Sequence, residues 1–206
     1  MSSAETQFSK VRLEMICDGI FAIAMTLLVL ELKPPELPRT AAPAETLHAL
    51  GEHGLAFVGF VLSFLLAGLF WILHDVSFND LRQANRALAI LTIPFLMFVS
   101  LLPFSTSMLT AFGLRNPVGP AFYLGNQFML AALLAAHWLI AKRQGLLTES
   151  DGSVKRRRFE LMICTQPISF AVATAVVFIA PRQALLAAAL TQSAIGLTTR
   201  RLTKRR

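Results

Sequence analysis

Charge is scarce along this chain. Only 15% of its 206 residues are Asp, Glu, Lys or Arg, against 55% hydrophobic, a balance that excludes an ordinary soluble domain. Cysteine is scarcer: there are two, Cys17 and Cys164, without metal-site spacing, so both are expected as free thiols among apolar neighbours. No H-E-x-x-H motif occurs, and His48 and His53, five apart, fall on different helix faces. A membrane enzyme built on His48, His53, His74 and His137 is thereby weakened. No nucleic-acid-binding motif accompanies the net charge of +7, so nucleic acid is not an expected partner. No internal repeat supports an inverted-repeat transporter.

What the chain has instead is long apolar runs. Six reach spanning length, at about 11–32, 54–74, 87–110, 120–141, 159–180 and 183–199, the last being the shortest. The expected fold class is an all-α membrane protein, one domain of six transmembrane helices over 1–206, with the lipid bilayer as its surroundings. Pro34-Pro35 stops the first span, Pro94 and Pro103 are expected kink points in the third, and 46–52 suits a short interfacial helix. Asp18 interrupts the apolar core of the first span, and Glu31 to Pro35 separate it from any cleavage site. It is therefore expected as a retained helix, not a signal peptide.

The basic residues fall in alternate connections. Fifteen Lys and Arg lie at the N-terminus, in the second and fourth connections and in the tail. Only Lys33, Arg39, Arg115 and Arg182 lie on the other side. That bias places both termini in the cytoplasm and accounts for the positive charge without nucleic acid.

The first span carries Arg12, Glu14 and Asp18 at or inside one end, and ionisable groups at membrane depth demand partners. At 100° per residue Ile23, Leu27 and Leu30 share a stripe about 60° wide, extended by Ile16, Gly19 and Ile20 and flanked by Thr26. From Ile23 to Leu30 is roughly 10 Å of depth. Periodicity alone favours plain packing for this stripe. Arg12 and Asp18 stand about 120° apart round the helix and cannot pair within it. Their partners come from another helix or another subunit. The second span offers Trp71 and His74 on one face, continued by Gly59, Ser63 and Ala67, small residues suited to close helix contact.

Arg12-x-x-x-Ile16-Cys17-Asp18-Gly19 and the following 20–30 resemble the first-helix signature, R-x-x-x-F-S-D, of the transmembrane protein 175 potassium channels. Ser63-Phe64, Trp71-x-x-His74 and Leu102-Pro103-Phe104 continue the resemblance through the first half of the chain. Ile16 and Cys17 stand where the family has Phe and Ser. The resemblance implies the bacterial form: one six-helix unit, a homotetramer of the plasma membrane, with four first helices lining a central pore. It implies Ile23, Leu27 and Leu30 as hydrophobic rings, Ile23 narrowest, and Thr26 as a hydroxyl layer. Arg12, Asp18, Trp71 and His74 would form the network that holds the helix. It implies potassium as the permeant ion and no cofactor.

Such a pore differs from a carbonyl-lined filter, and no T-V-G-Y-G loop occurs here. Apolar rings bind no cation; they discriminate by making it shed water, which penalises sodium more than potassium. The same rings close the path by dewetting. A proton-coupled carrier using Asp18 is the alternative.

Overall fold

The computed structural model describes residues 9–148 and 154–184, together with 186, 188 and 191. Seven α-helices are complete within them: α1 (Lys10–Leu27), α2 (Pro43–Glu52), α3 (Gly54–Asn79), α4 (Arg86–Ser100), α5 (Leu102–Phe112), α6 (Val118–Arg143) and α7 (Val154–Val177). Five helical stretches are long and apolar enough to cross a membrane: Lys10–Glu31, Gly54–Asn79, Arg86–Phe112, Val118–Arg143 and Arg156–Val177. The expected sixth span, about 183–199, lies mostly outside the described residues. Its beginning is visible: the chain is helical again over 181–184, and Ala184 and Ala188 join the apolar core.

Several expected boundaries shift, each for a local reason. The first span is not one uniform helix: Leu28–Glu31 form a 3₁₀ turn after α1. Pro34-Pro35 follow closely, and a tightened last turn satisfies carbonyls that lack a further helical donor. The second span runs on past His74 to Asn79, whose side-chain amide donates to Asp75 Oδ2 at 3.0 Å. The helix simply outlasts its apolar part. The fifth begins earlier and ends earlier, so the basic run Lys155 to Arg158 is the first turn of α7 rather than loop. The interfacial helix starts at Pro43, a residue suited to a helix's first position.

The two prolines of the third span behave differently. Pro94 sits inside α4 without ending it. At Pro103 the helix breaks: Leu101 N still donates to Met97 O at 3.1 Å, Pro103 has no N–H to give to Val99 O, and α5 starts again at Leu102. Asn126 of α6 answers the gap, its Nδ2 donating to Phe98 O at 3.3 Å. A side chain on a neighbouring helix thus takes over part of the interrupted ladder, as spans in lipid require.

α6 forms the middle of the bundle, packed against α4, α5 and α7, while α1 lies against α3, α4 and α5. Ser63, Tyr123 and Thr106 link α3, α6 and α5: Ser63 Oγ donates to Tyr123 Oη at 3.3 Å, and Thr106 Oγ1 donates to Ser63 Oγ at 2.7 Å. The small strip Gly59–Ser63–Ala67 does let a helix approach closely, and that helix is α5: a Cβ at Gly59 would lie 2.7 Å from Thr110 Cγ2.

At one end of the bundle two turns clasp each other. Leu81 and Leu147 form an antiparallel bridge, with Arg82 N donating to Leu146 O at 2.9 Å and Thr148 N to Asp80 O at 2.8 Å. Lys10 Nζ, at the start of α1, donates to Leu81 O at 3.1 Å. Arg156, at the start of α7, donates to Thr148 O at 3.0 Å, lies 3.8 Å from Asp80 Oδ2 and covers the Trp138 ring at 5.7 Å. The start of α1, both turns and the start of α7 therefore gather at one end, as an up-and-down order of spans demands.

The tightest approach is at the opposite end. A Cβ on Gly119, where α6 begins, would lie 2.5 Å from the Met108 carbonyl oxygen, a backbone atom with little room to yield. Gly119→Ala is expected to lower stability by about 1–3 kcal/mol, read as a lower midpoint in thermal unfolding of the detergent-solubilised protein. Gly125→Ala on the same helix meets nothing within 4 Å and is expected to leave the midpoint unchanged or raised.

Candidate functional site: the uncovered face of the first helix

α1 has two faces with opposite fates. Its N-terminus is capped by Ser9, whose hydroxyl accepts from Arg12 N at 3.4 Å. From there Cys17, Phe21, Ala24 and Leu28 recur at helical spacing, and all are buried against the rest of the chain. On the other side Ile23, Leu27 and Leu30 are 60%, 43% and 67% exposed, with Ile16, Gly19 and Thr26 exposed alongside. The chain seals one stripe and leaves the other without a partner.

The 3₁₀ turn matters here. In that geometry residues three apart eclipse, so Leu30 stands directly beyond Leu27 instead of drifting round the helix. The row keeps its line to the end. Thr26 adds a polar element: its hydroxyl donates within the helix, to Ile23 O at 2.8 Å or Ala22 O at 3.0 Å. With the proton directed inward, the oxygen lone pairs are left for whatever lies outside.

The charged end of α1 is only partly assembled within one chain. Trp71 Nε1 donates to Asp18 Oδ1 at 2.8 Å, tying α3 to α1 by a charge-assisted bond. Lys10 and Glu14 form an i, i+4 ion pair at 3.6 Å. Arg12 is exposed, and its side chain has no hydrogen bond or ion pair among the described residues. His74 is buried one turn beyond Trp71, but it turns away from Asp18 into an aromatic box. Its ring stacks on Phe78 at 4.2 Å and Phe95 at 5.4 Å, with Phe21 of α1 at 6.4 Å. The pair Asp18–Trp71 and the box around His74 are thus neighbouring attachments of one helix pair.

Sequence reading missed the other imidazole of that box. His137 of α6 lies edge-on to Phe78 and tilted against Phe95, both at 6.0 Å, and lies 3.4 Å from Thr92 Oγ1. A histidine in an apolar span was visible, but its 63-residue separation from His74 gave no local spacing to connect them. His48 and His53 are elsewhere, on or next to α2, where His48 faces Glu52 at 3.8 Å and His53 Nδ1 lies 3.0 Å from Ala49 O. No group of three or more His, Cys, Asp or Glu suited to a metal occurs among the described residues. Cys17 and Cys164 are both free thiols.

The family model described as "Endosomal/lysosomal potassium channel TMEM175" matches residues 12–103, which carry α1 through α4. A potassium channel of Streptomyces collinus is 35% identical over 140 residues, covering 66% of this chain and 66% of its own length. A potassium channel of Chamaesiphon minutus is 30% identical over 171 residues, covering 77% of this chain and 82% of its own. The endosomal/lysosomal proton channel TMEM175 of Mus musculus is 34% identical over 114 residues, but the match spans only 23% of that longer protein. Among solved structures, the crystal structure of a lysosomal potassium-selective channel TMEM175 homolog from Chamaesiphon minutus superposes with a TM-score of 0.76. It has 23% identity over 92% of this chain and 97% of that one, a likeness that establishes the fold.

Proposed function

Because the chain belongs to the TMEM175 family, which is one of ion channels and not of enzymes, we propose that it is a potassium channel selective over sodium. In this reading the chain is one six-helix unit over 1–206, and four copies surround a pore in the plasma membrane with their termini in the cytoplasm. The uncovered face of α1 carries the reading. A stripe of Ile23, Leu27 and Leu30 left bare by its own chain, on a different face from the sealed stripe, is what a pore-lining helix needs. The three residues form successive apolar rings that act as constriction, filter and gate.

Ile23 sets the neck, and potassium passes it at lower cost than sodium because it holds its water less tightly. Thr26 supports the passage with outward lone pairs that stand in for part of the lost hydration. Asp18 and Trp71 hold α1 to α3, His74 fills the packing behind them, and Arg12 finds its partner on a neighbouring subunit. The clasped turns and α7 start, with their basic residues, face the cytoplasm, in line with the charge bias.

Reconstituted vesicles test this. A potassium gradient is expected to drive rapid flux with no counter-substrate, and sodium flux is expected to be smaller. The same vesicles carry a pH-sensitive dye, since the animal relatives are named proton channels. Flux that saturates at low concentration and requires a proton gradient would instead identify a carrier working through Asp18.

A further inference from the structure

Among the described residues, four basic residues lie toward the side opposite the clasp, and two of them line one cavity. Arg115, in the turn between α5 and α6, and Arg182, in the turn after α7, line one surface cavity of about 560 Å³. Gln183 joins them there, with Ile179, Ala180 and Pro181. Neither guanidinium has an ion-pair partner among the described residues. The nearby sequence supplies none: no Asp or Glu occurs between Asp80 and Glu149, nor anywhere after Glu160. Two like charges lining one cavity repel, and no ion pair among the described residues offsets that repulsion.

The surroundings say which anion suits the place. Ile179, which lines the cavity, is 86% exposed, and Phe178, next to it in the chain, is 71% exposed. A small free anion has no use for that apolar surface. A molecule with a phosphate at one end and hydrocarbon at the other uses both parts. Guanidinium forks match phosphate oxygens in pairs, and Gln183 contributes an amide donor. We propose that Arg115, Arg182 and Gln183 form a site for the phosphodiester of an anionic phospholipid, whose acyl region lies along Phe178 and Ile179. The site rests on the reading of the chain as membrane-embedded, and it requires nothing of the pore. A zwitterionic headgroup fits less well, because its ammonium would be carried toward the two guanidiniums.

Native mass spectrometry of the full-length detergent-solubilised protein, titrated with phosphatidylglycerol, tests it. Arg115→Gln/Arg182→Gln is expected to weaken binding of the tightest lipid about tenfold or more, the scale of losing one strong charge-assisted contact. The charge-matched variant Arg157→Gln/Arg158→Gln, at the other end of the bundle, is expected to keep that lipid. Equal losses in the two variants mean general attraction to positive charge and overturn the proposal. Inorganic phosphate that displaces the lipid at similar concentration makes the site one for a free anion and also overturns it. If the Gln variant does not elute as the wild-type particle, Arg115→Lys/Arg182→Lys decides. That variant keeps the charge but loses the paired fork, so a several-fold drop is expected and an unchanged affinity refutes the site.

Discussion

Channels carrying Ile23→Asn are expected to conduct several-fold more than wild type and to lose most of their preference for potassium. The expectation follows from what an apolar ring does. In the proposed pore Ile23 would offer an ion nothing to replace its water, so passage would be costly and costlier for sodium. Four amides at the same level give back part of the hydration to either ion and keep the neck wet. Both the barrier and its discrimination then fall together. Ile23 is exposed on the bare side of α1, so the substitution strands no buried polar group and the fold is expected to survive. Single-channel recording under bi-ionic potassium and sodium checks both quantities at once. Unaltered conductance and selectivity would move the neck to another ring, with Leu27 and Leu30 next to be tested.

Asp18→Ala is expected to have the second large effect, on assembly. Trp71 Nε1 then loses its 2.8 Å acceptor at the α1–α3 contact. A hydrogen bond to a charged group contributes about 1.5–3 kcal/mol. Asp18→Asn keeps an acceptor and is expected to lose much less. Arg12→Ala belongs to the same test: its side chain has no partner among the described residues, so its loss is expected to spare the single chain's fold and reduce the tetramer. Particle mass in detergent, read beside thermal unfolding, separates the two cases. Normal tetramers from both Asp18→Ala and Arg12→Ala would refute the proposed network.

The division of α1 was largely legible because it is local. Residues at helical spacing share a face whatever surrounds them, so the row Ile23, Leu27, Leu30 followed from position alone. Its remaining exposed, rather than packed, did not: periodicity gives a face and says nothing about what covers it. Leu30 held its place for a reason spacing did not contain, the 3₁₀ turn that eclipses it with Leu27. Cys17 is found where its apolar neighbours in sequence suggested. It lies fully buried on the covered stripe, where a small apolar side chain is what the packing needs.

Features that depend on distant parts of the chain stayed hidden. His74 was placed beside Trp71 by spacing, yet its ring is claimed by Phe78, Phe95 and the neighbourhood of His137. The bridge between Leu81 and Leu147 and the cover of Arg156 over Trp138 have no signature in any one stretch. Helix ends were displaced wherever polar residues continue a helix beyond its apolar part, as Asp75 to Asn79 do in α3. Pro103 and Pro94 look alike in sequence; only the former ends a helix, and Asn126 helps to satisfy the carbonyls left there.

The sealed stripe of α1 would restrict how the proposed pore opens. A helix that gates by turning about its own axis must exchange the residues facing the pore. Here that would drag Phe21 out of its contacts with Phe95 and His74 and pull Asp18 from Trp71. Lipid rewards such an exposure no more than it penalises it, so the loss is one of close packing and hydrogen bonding, which is what holds helices together in a membrane. Lys10, bonded to Leu81 O, fixes the base of the helix as well. α1 is geared to its own subunit. In the proposed tetramer, widening the rings would therefore call for whole subunits to tilt or slide apart like the leaves of an iris, each carrying its first helix rigidly with it.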